Sequence, residues 1–325
     1  PGMSVGAQTV GRTTGVGATA TVKVPATSAN LGPGYDCAGL ALALTDTLEA
    51  RLLGDGELEI DVVGEGADSV PKDDSHLVVR SMARGFAEAD AHIPGLHLTC
   101  HNVIPHGRGL GSSSAAIVGG LVLARELMPD GHRILTAERL VSLATELEGH
   151  PDNVAPAVLG GMTIAWTHEA GGRAIRISPN PRLQPVVAIP TEPLATQRAR
   201  ELLPAAVPHA DAAAHAARAA LLVPALTNHL ELLHEATHDL LHQDYRRFAY
   251  PQSHALVTAL RALGIPAMIS GAGPTVIAIG VSDTGLDGQA VEAAVVKALA
   301  AQGGSATSDF RVEQLAVASD GAVAI

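Results

Sequence analysis

The sequence predicts an α+β fold in two lobes. Three observations carry this. Strand and helix patterns mix along the chain without strict βαβ repetition. A turn-rich stretch near 167–173, centred on Glu169-Ala170-Gly171-Gly172, divides them. A glycine/serine run at 105–116 joins a short strand pattern to a smooth apolar helix pattern. Residues 1–18 are accordingly expected to be a disordered tail, 19–168 an N-terminal lobe and 169–325 a C-terminal lobe.

In the first lobe, 21–24 reads as a strand, followed by a Pro/Gly-rich loop through Gly34. Residues 47–53 and 58–63 alternate in the manner of half-buried strands. Residues 76–89 read as a helix, and 96–100 as the strand before the glycine run. The apolar helix behind that run ends near Met128-Pro129, where proline stops helices. A second helix spans 136–147, with Thr136 as its N-cap. Strands follow at 162–166, 174–177 and 186–189. Helices are expected at 198–203, 210–222, 230–242, 252–263 and 289–301. Strands at 268–269 and 275–279 flank the loop Ser270-Gly271-Ala272-Gly273-Pro274, and 310–317 supplies closing strands.

Bulk properties exclude several classes. Of 325 residues 47% are hydrophobic, enough for a real core. Gly, Pro or charge interrupts the apolar runs within about 15 residues, short of a membrane span. A net charge of −12 argues against nucleic acid or an anionic membrane as partner. With 2% aromatic residues, base-stacking platforms are not expected. The two cysteines, Cys37 and Cys100, are too few for a disulfide framework and fit a reducing cytoplasm. The first twenty residues lack the basic and apolar regions of a signal peptide.

The richest stretch is Pro105-His106-Gly107-Arg108-Gly109-Leu110-Gly111-Ser112-Ser113-Ser114-Ala115-Ala116. Glycine lets backbone approach a ligand closely and take positive φ. Serine is a good N-cap, and a helix start presents unpaired N–H groups with partial positive charge. Together they make an anion cradle suited to phosphate. It is not a Walker A loop, because Ser112 rather than Lys follows Gly111. Glycines at 107, 109 and 111 also miss the Rossmann spacing.

Other segments carry polar chemistry. The loop from Pro25 to Asp36 offers Asn30 as a neutral donor and acceptor and Asp36 as a charge. Glu146, Glu148, His150, Asp152 and Asn153 cluster at the end of the second helix, where Gly149 and Pro151 also suit a plain helix stop. Arg200 and Arg246 sit in polar segments, and a guanidinium fork matches a carboxylate bidentately. His234-Glu235-Ala236-Thr237-His238 satisfies the zincin pattern, but His242 comes too early for the metzincin extension, so an incidental helix face is expected.

The phosphate-loop run resembles that of the GHMP kinases, whose pattern is P-x-x-x-G-L-G-S-S-x-A. The segment 25–42 is similar to the homoserine kinase branch, usually P-A-S-S-A-N-L-G-P-G-F-D, with Thr27 and Tyr35 as mild departures. The segment 148–156 resembles that branch's E-G-H-P-D-N-V-A-P, and 196–204 and 242–246 resemble T-x-x-A-R-x-x-L-P and H-x-x-Y-R. The loop at 271–275 is similar to the family's G-S-G-P-T. The resemblance spans roughly residues 20–320.

It implies the two-lobed GHMP kinase fold: an N-terminal α/β lobe carrying the glycine/serine phosphate loop, and a C-terminal ferredoxin-like α+β lobe. It implies ATP-dependent phosphorylation of the L-homoserine side-chain hydroxyl to O-phospho-L-homoserine, in threonine biosynthesis, with Mg²⁺. By resemblance, Pro105, Gly107, Arg108, Gly109, Leu110, Gly111, Ser112, Ser113 and Ser114 bind the nucleotide, the backbone N–H groups of 109–114 holding its phosphates. His76 stands where relatives often place an Asn on the nucleoside. Ser112 and Glu148, with Glu146 as second choice, would hold the metal. Asn30 would orient the substrate hydroxyl, Asp36 take the ammonium, and Arg200 and Arg246 the carboxylate. His150 and Asn153 would line the same pocket. Asn30, Ser112 and Arg200 are the expected catalytic groups, and no base is assigned. A mevalonate or sugar kinase, or a silent nucleotide sensor, are the competing readings. A homodimer is left open.

Overall fold

The computed structural model describes residues 15–54, 56–303 and 309–325. Most of the expected disordered tail, 1–14, lies outside the described residues. Residues 15–18, expected in that tail, instead form a turn in which the Gly17 N–H donates to the Leu52 carbonyl at 2.8 Å.

The first lobe runs β1 (Thr19–Asn30), β2 (Gly34–Leu52), β3 (Leu58–Gly64), α1 (Leu77–Ala87), β4 (Leu96–Asn102), α2 (Ser112–Leu127), α3 (Gly131–Ile134), α4 (Ala137–Glu148), α5 (Val154–Leu159), β5 (Met162–His168) and β6 (Gly171–Ile177). The second runs β7 (Leu183–Pro190), α6 (Thr196–Glu201), α7 (His209–Thr227), α8 (Leu233–Ala236), α9 (Pro251–Ala262), β8 (Ala267–Ile269), β9 (Val276–Val281), α10 (Gly288–Gln302) and β10 (Phe310–Gln314). A last strand, β11 (Val323–Ala324), returns to pair with β1.

Among the described residues, seven strands form one sheet in the order β11-β1-β2-β4-β3, with β5 pairing β2 and β6 pairing β5. Helix α2 packs on it because nearly its whole surface is apolar, from Ala115 to Leu127. The second sheet has the order β10-β7-β9-β8. Numbered within that lobe this is 4-1-3-2, the ferredoxin-like arrangement. One apolar cluster joins the lobes, with Leu222, Met268 and Ile277 packed into the same core as Leu40 and Leu110. A second lies between the small sheet and α9 and α10.

Three expectations are corrected. The turn at 169–170 does not separate lobes. It closes a hairpin in which His168 pairs with Gly171 and Met162 with Ile177, so β6 stays in the first sheet and the crossover follows Ile177. The loop expected from 25 to 34 is strand as far as Asn30. Pro25 is accommodated by a register shift at Pro25/Ala26, as proline within a sheet requires. The helix expected over 230–242 is broken into a 3₁₀ turn, Leu230–Leu232, and the short α8. Beyond α8 the Asp239 carboxylate accepts from the backbone N–H groups of Leu241, His242 and Gln243 at 2.7–3.0 Å, local bonding that replaces a continuing helix. The helical face for two zinc-binding histidines therefore does not form. Among the described residues no group of three or more His, Cys, Asp or Glu could hold a metal. No helix among them is long and apolar enough to cross a membrane.

Candidate active site

Two clefts meet at the start of α2, sharing Ser112 and Ser113. The polar one encloses about 240 Å³ between the lobes. The other, about 290 Å³, is mostly apolar and is walled by Leu48, Val70, Pro71, Leu77, Val78 and Ala116.

The wall they share is built from backbone. Gly107, Gly109 and Gly111 have φ of 68°, 75° and 70°, a conformation costly for other residues. A Cβ on Gly109 would lie 2.3 Å from the Ser270 carbonyl oxygen, and one on Gly111 2.0 Å from Thr27 Oγ1. Only glycine lets this loop press against both lobes. The junction is stitched by the Ser270 hydroxyl to the Gly109 carbonyl at 2.6 Å and by the Thr275 N–H to the Arg108 carbonyl at 3.2 Å. Gly111, not a serine, is the N-cap of α2, and no side chain caps the helix. Its first amides are thus left to a ligand, and the helix dipole adds partial positive charge there.

Expected phosphate-loop members divide by role. Gly107, Gly109, Gly111, Ser112 and Ser113 line the polar cleft. Leu110 is wholly buried in the core, and Pro105 is buried as well. Arg108 does not face the cleft. Its guanidinium is occupied by the carbonyls of Pro190, His106 and Thr191, so it ties the loop to the end of β7 rather than meeting an anion. Ser114 is buried and donates to Glu148.

The two acidic candidates at the end of α4 separate as helical geometry requires, because residues two apart do not share a face. Glu148 lines the cleft and accepts from Ser113 Oγ at 2.6 Å and Ser114 Oγ at 3.0 Å. Glu146 is 59% exposed and paired with Arg84 at 3.3 Å, away from the site. It joins a surface network in which Arg139, foremost, holds the Glu88 carboxyl at about 2. The hydroxyls bonded to Glu148 are thus those of Ser113 and Ser114, not that of Ser112, although Ser112 and Ser113 both border the cleft.

The segment from Asn30 to Asp36 enters the cleft through a tight reversal, with Asn30 at φ 70° and Asp36 at φ 54°. Asn30 Oδ1 accepts from the Asp36 N–H and Asn30 Nδ2 donates to the Gly271 carbonyl, both at 2.9 Å. One Asn30 amide hydrogen remains for a ligand. Asp36 and Arg200, expected to take opposite ends of a substrate, are bonded to each other through a bidentate fork at 2.9 and 3.1 Å. Their side chains are 35% and 38% exposed, so the pair is open to solvent.

Arg246 differs. It is 2% exposed, with Nε donating to the Ala199 carbonyl at 2.9 Å, and it lines the cleft. Among the described residues no carboxylate forms an ion pair with it. His150 and Asn153 line the same cleft, and so does Asp152, which is 2% exposed. Asp152 Oδ1 bonds His150 Nδ1 at 2.5 Å. Burial alone would lower the His150 imidazole, but this carboxylate outweighs it and the net shift is upward. Asn153 accepts from Thr27 Oγ1 at 2.9 Å. His76 borders the apolar cleft. It caps α1 by accepting from the Val78 N–H at 3.3 Å, and burial, foremost, holds its imidazole below the usual value.

Asp152, Gly271 and Ala272 also line the cleft, although the sequence points only to the segments that hold them and gives none of the three a role. The motif around 148–156 contained the signal for the first. The likeness of 271–275 to G-S-G-P-T carried that for the last two, and the strands β8 and β9 place this loop at the cleft.

A small two-lobed fold with a glycine-built anion cradle between a polar and an apolar cleft defines a small-molecule kinase. The comparisons agree. The GHMP kinases N terminal domain matches residues 76–161, and the GHMP kinases C terminal domain matches 214–303. The homoserine kinase of Streptomyces coelicolor is 55% identical over 263 residues, covering 81% of this chain and 85% of that protein. A putative homoserine kinase structure from Listeria monocytogenes superposes with a TM-score of 0.72 at 29% identity, covering 94% of this chain and 99% of that one. A homoserine kinase structure from Cytophaga hutchinsonii has the same fold, with a TM-score of 0.81 at 24% identity, covering 94% and 97% of the two chains. The chain belongs to the GHMP kinase family, in its homoserine kinase branch.

Proposed function

We propose that this chain transfers the γ-phosphoryl group of ATP to the side-chain hydroxyl of L-homoserine, giving O-phospho-L-homoserine and ADP. The observation that carries the substrate class is Arg246. A buried cation without a carboxylate partner is costly, and a ligand carboxylate reaching it through the cleft relieves that cost. Asp36, across the same cleft, suits the ammonium of an amino acid.

Asp36 is held on Arg200. A half-exposed pair of this kind is worth about 0–1 kcal/mol, so opening it costs little. A zwitterion replaces it with an ammonium on Asp36 and a carboxylate on Arg200 and Arg246. Hydrogen bonds to charged groups are worth about 1.5–3 kcal/mol each, so the exchange favours binding. Mevalonate and sugars carry no ammonium and would leave Asp36 closed on Arg200.

The amides of the loop from Gly109 to Ser114 would hold the phosphates, and the apolar cleft beside His76 the nucleoside. The remaining Asn30 amide hydrogen would orient the attacking hydroxyl, while the bond between His150 and Asp152 fixes the imidazole beside it. Phosphoryl transfer needs mainly positioning and charge neutralisation. Mg²⁺ fits the donor set: one carboxylate, Glu148, with neighbouring serine hydroxyls, is the sparse protein contribution that this ion accepts when phosphate oxygens and water complete its shell. Glu148, with Ser112 or Ser113, would hold it, and it would neutralise phosphate charge. The free thiols of Cys37 and Cys100 fit a reducing compartment, and we assign the chain to the cytoplasm.

The test is ADP release with L-homoserine, R-mevalonate and galactose as acceptors. Release should depend on L-homoserine. Turnover with mevalonate or galactose at a comparable rate, or none with homoserine, would overturn the reading.

A further inference from the structure

Position 35 departs from the family pattern given above, where phenylalanine is usual, and its extra oxygen lies between the two arginines. Arg246 Nη2 donates to Tyr35 Oη at 3.3 Å and Arg200 Nη1 at 3.5 Å. Both bonds are long, yet this hydroxyl touches both cations. The ring is held from two sides. Its centroid lies 5.0 Å from that of His242, and the Arg246 guanidinium sits 5.4 Å from it in a cation–π contact. His242 is itself immobilised, with Nε2 on the Gly32 carbonyl at 2.9 Å and its backbone N–H on Asp239 Oδ2 at 2.9 Å. The chain from Asp239 through His242 to Tyr35 therefore reaches the arginines from behind the cleft.

We propose that the Tyr35 hydroxyl is a positioning residue that holds the guanidiniums of Arg200 and Arg246 at a fixed separation for the substrate carboxylate. The inference rests on the functional reading above. Two like charges facing one small pocket repel, and the repulsion grows when Asp36 leaves Arg200 for the ammonium. A phenol oxygen accepting from both offsets part of that repulsion without competing for the carboxylate. It stays protonated at neutral pH, since burial, foremost, and the neighbouring Asp36 push its pKa up despite the two arginines.

The test is Tyr35→Phe, which keeps the ring and removes one oxygen. Loss of a net hydrogen bond corresponds to roughly three- to tenfold in affinity. The homoserine KM should rise by about that factor, with the ATP KM and the kcat at saturating homoserine within twofold of wild type. An unchanged homoserine KM overturns the proposal. A parallel shift of both KM values, or a fall in kcat, also overturns it, because a general structural role would produce that pattern. If the wild-type chain releases no ADP with homoserine, the functional reading fails first and this inference falls with it. That outcome is read in the wild type alone and is distinct from a null result in the variant.

Discussion

The proposed phosphate cradle and the proposed amino-acid pocket share one cleft but are built in opposite ways. The first is a continuous run, 107–113, that would offer a ligand backbone amides positioned by glycines and a helix start. The pocket is assembled from side chains far apart in sequence, with Asp36 meeting Arg200 across 164 positions and Tyr35 meeting Arg246 across 211. A site made of backbone is specified by local sequence and changes little when one side chain is altered. A site made of side chains depends on how the lobes meet and on which charges meet there: Asp36 is paired with Arg200, whereas Arg246 has no carboxylate partner among the described residues.

This contrast can be tested first at Glu148, which reaches from α4 to the hydroxyls of Ser113 and Ser114. Glu148→Gln keeps the shape and removes the charge. Losing one preorganised contact of this kind costs on the order of 3 kcal/mol, about a hundredfold in kcat. A dependence on Mg²⁺ concentration shifted to higher values should accompany the loss. Wild-type kcat and magnesium response in this variant would remove Glu148 from the phosphate region.

A smaller change should isolate the pocket. Arg246→Lys keeps a cation but replaces a planar fork by a point charge. The homoserine KM should rise on the order of tenfold, the loss of one charged hydrogen bond, while the ATP KM holds. Steady-state kinetics with each substrate varied in turn will show this. A rise confined to the ATP KM would reverse the assignment of the two regions.

The smallest effect on chemistry should come from the cradle itself, through stability. Gly109→Ala places a Cβ 2.3 Å from the Ser270 carbonyl at φ 75°. A left-handed non-glycine residue costs of order 1–3 kcal/mol, before the lobe junction shifts. Thermal unfolding should move down by several degrees and the ATP KM rise several-fold, with the homoserine KM least affected. A melting temperature equal to wild type would mean that the loop does not need glycine there.

Much of this was legible in the chain itself. The helix N-terminus at Ser112, the Thr136 cap with its bond to the Arg139 N–H, and the glycine loop follow from local rules, and the structure shows each. Of the candidate site residues, Asn30, Asp36, Glu148, His150, Asn153, Arg200 and Arg246 meet at one cleft. Arg108, placed at the nucleotide by resemblance, turns its guanidinium to carbonyls at the end of β7 instead, a contact that only the packing of the lobes supplies. The register of α4 separates Glu148 from Glu146, but which face met the cleft depended on how α4 packs.

By itself the sequence determined the elements whose causes lie within a few residues: glycines at positive φ, caps, apolar helix faces, and an uncapped run of amides ready for an anion. Tertiary structure alone decided that β6 belongs to the first sheet, that Asp36 rests on Arg200, and that one phenol oxygen touches two arginines. The physical reason is range. Backbone conformation and capping are set by neighbours along the chain. Ion pairs and shared hydrogen bonds depend on distances between segments that only the packed core brings together.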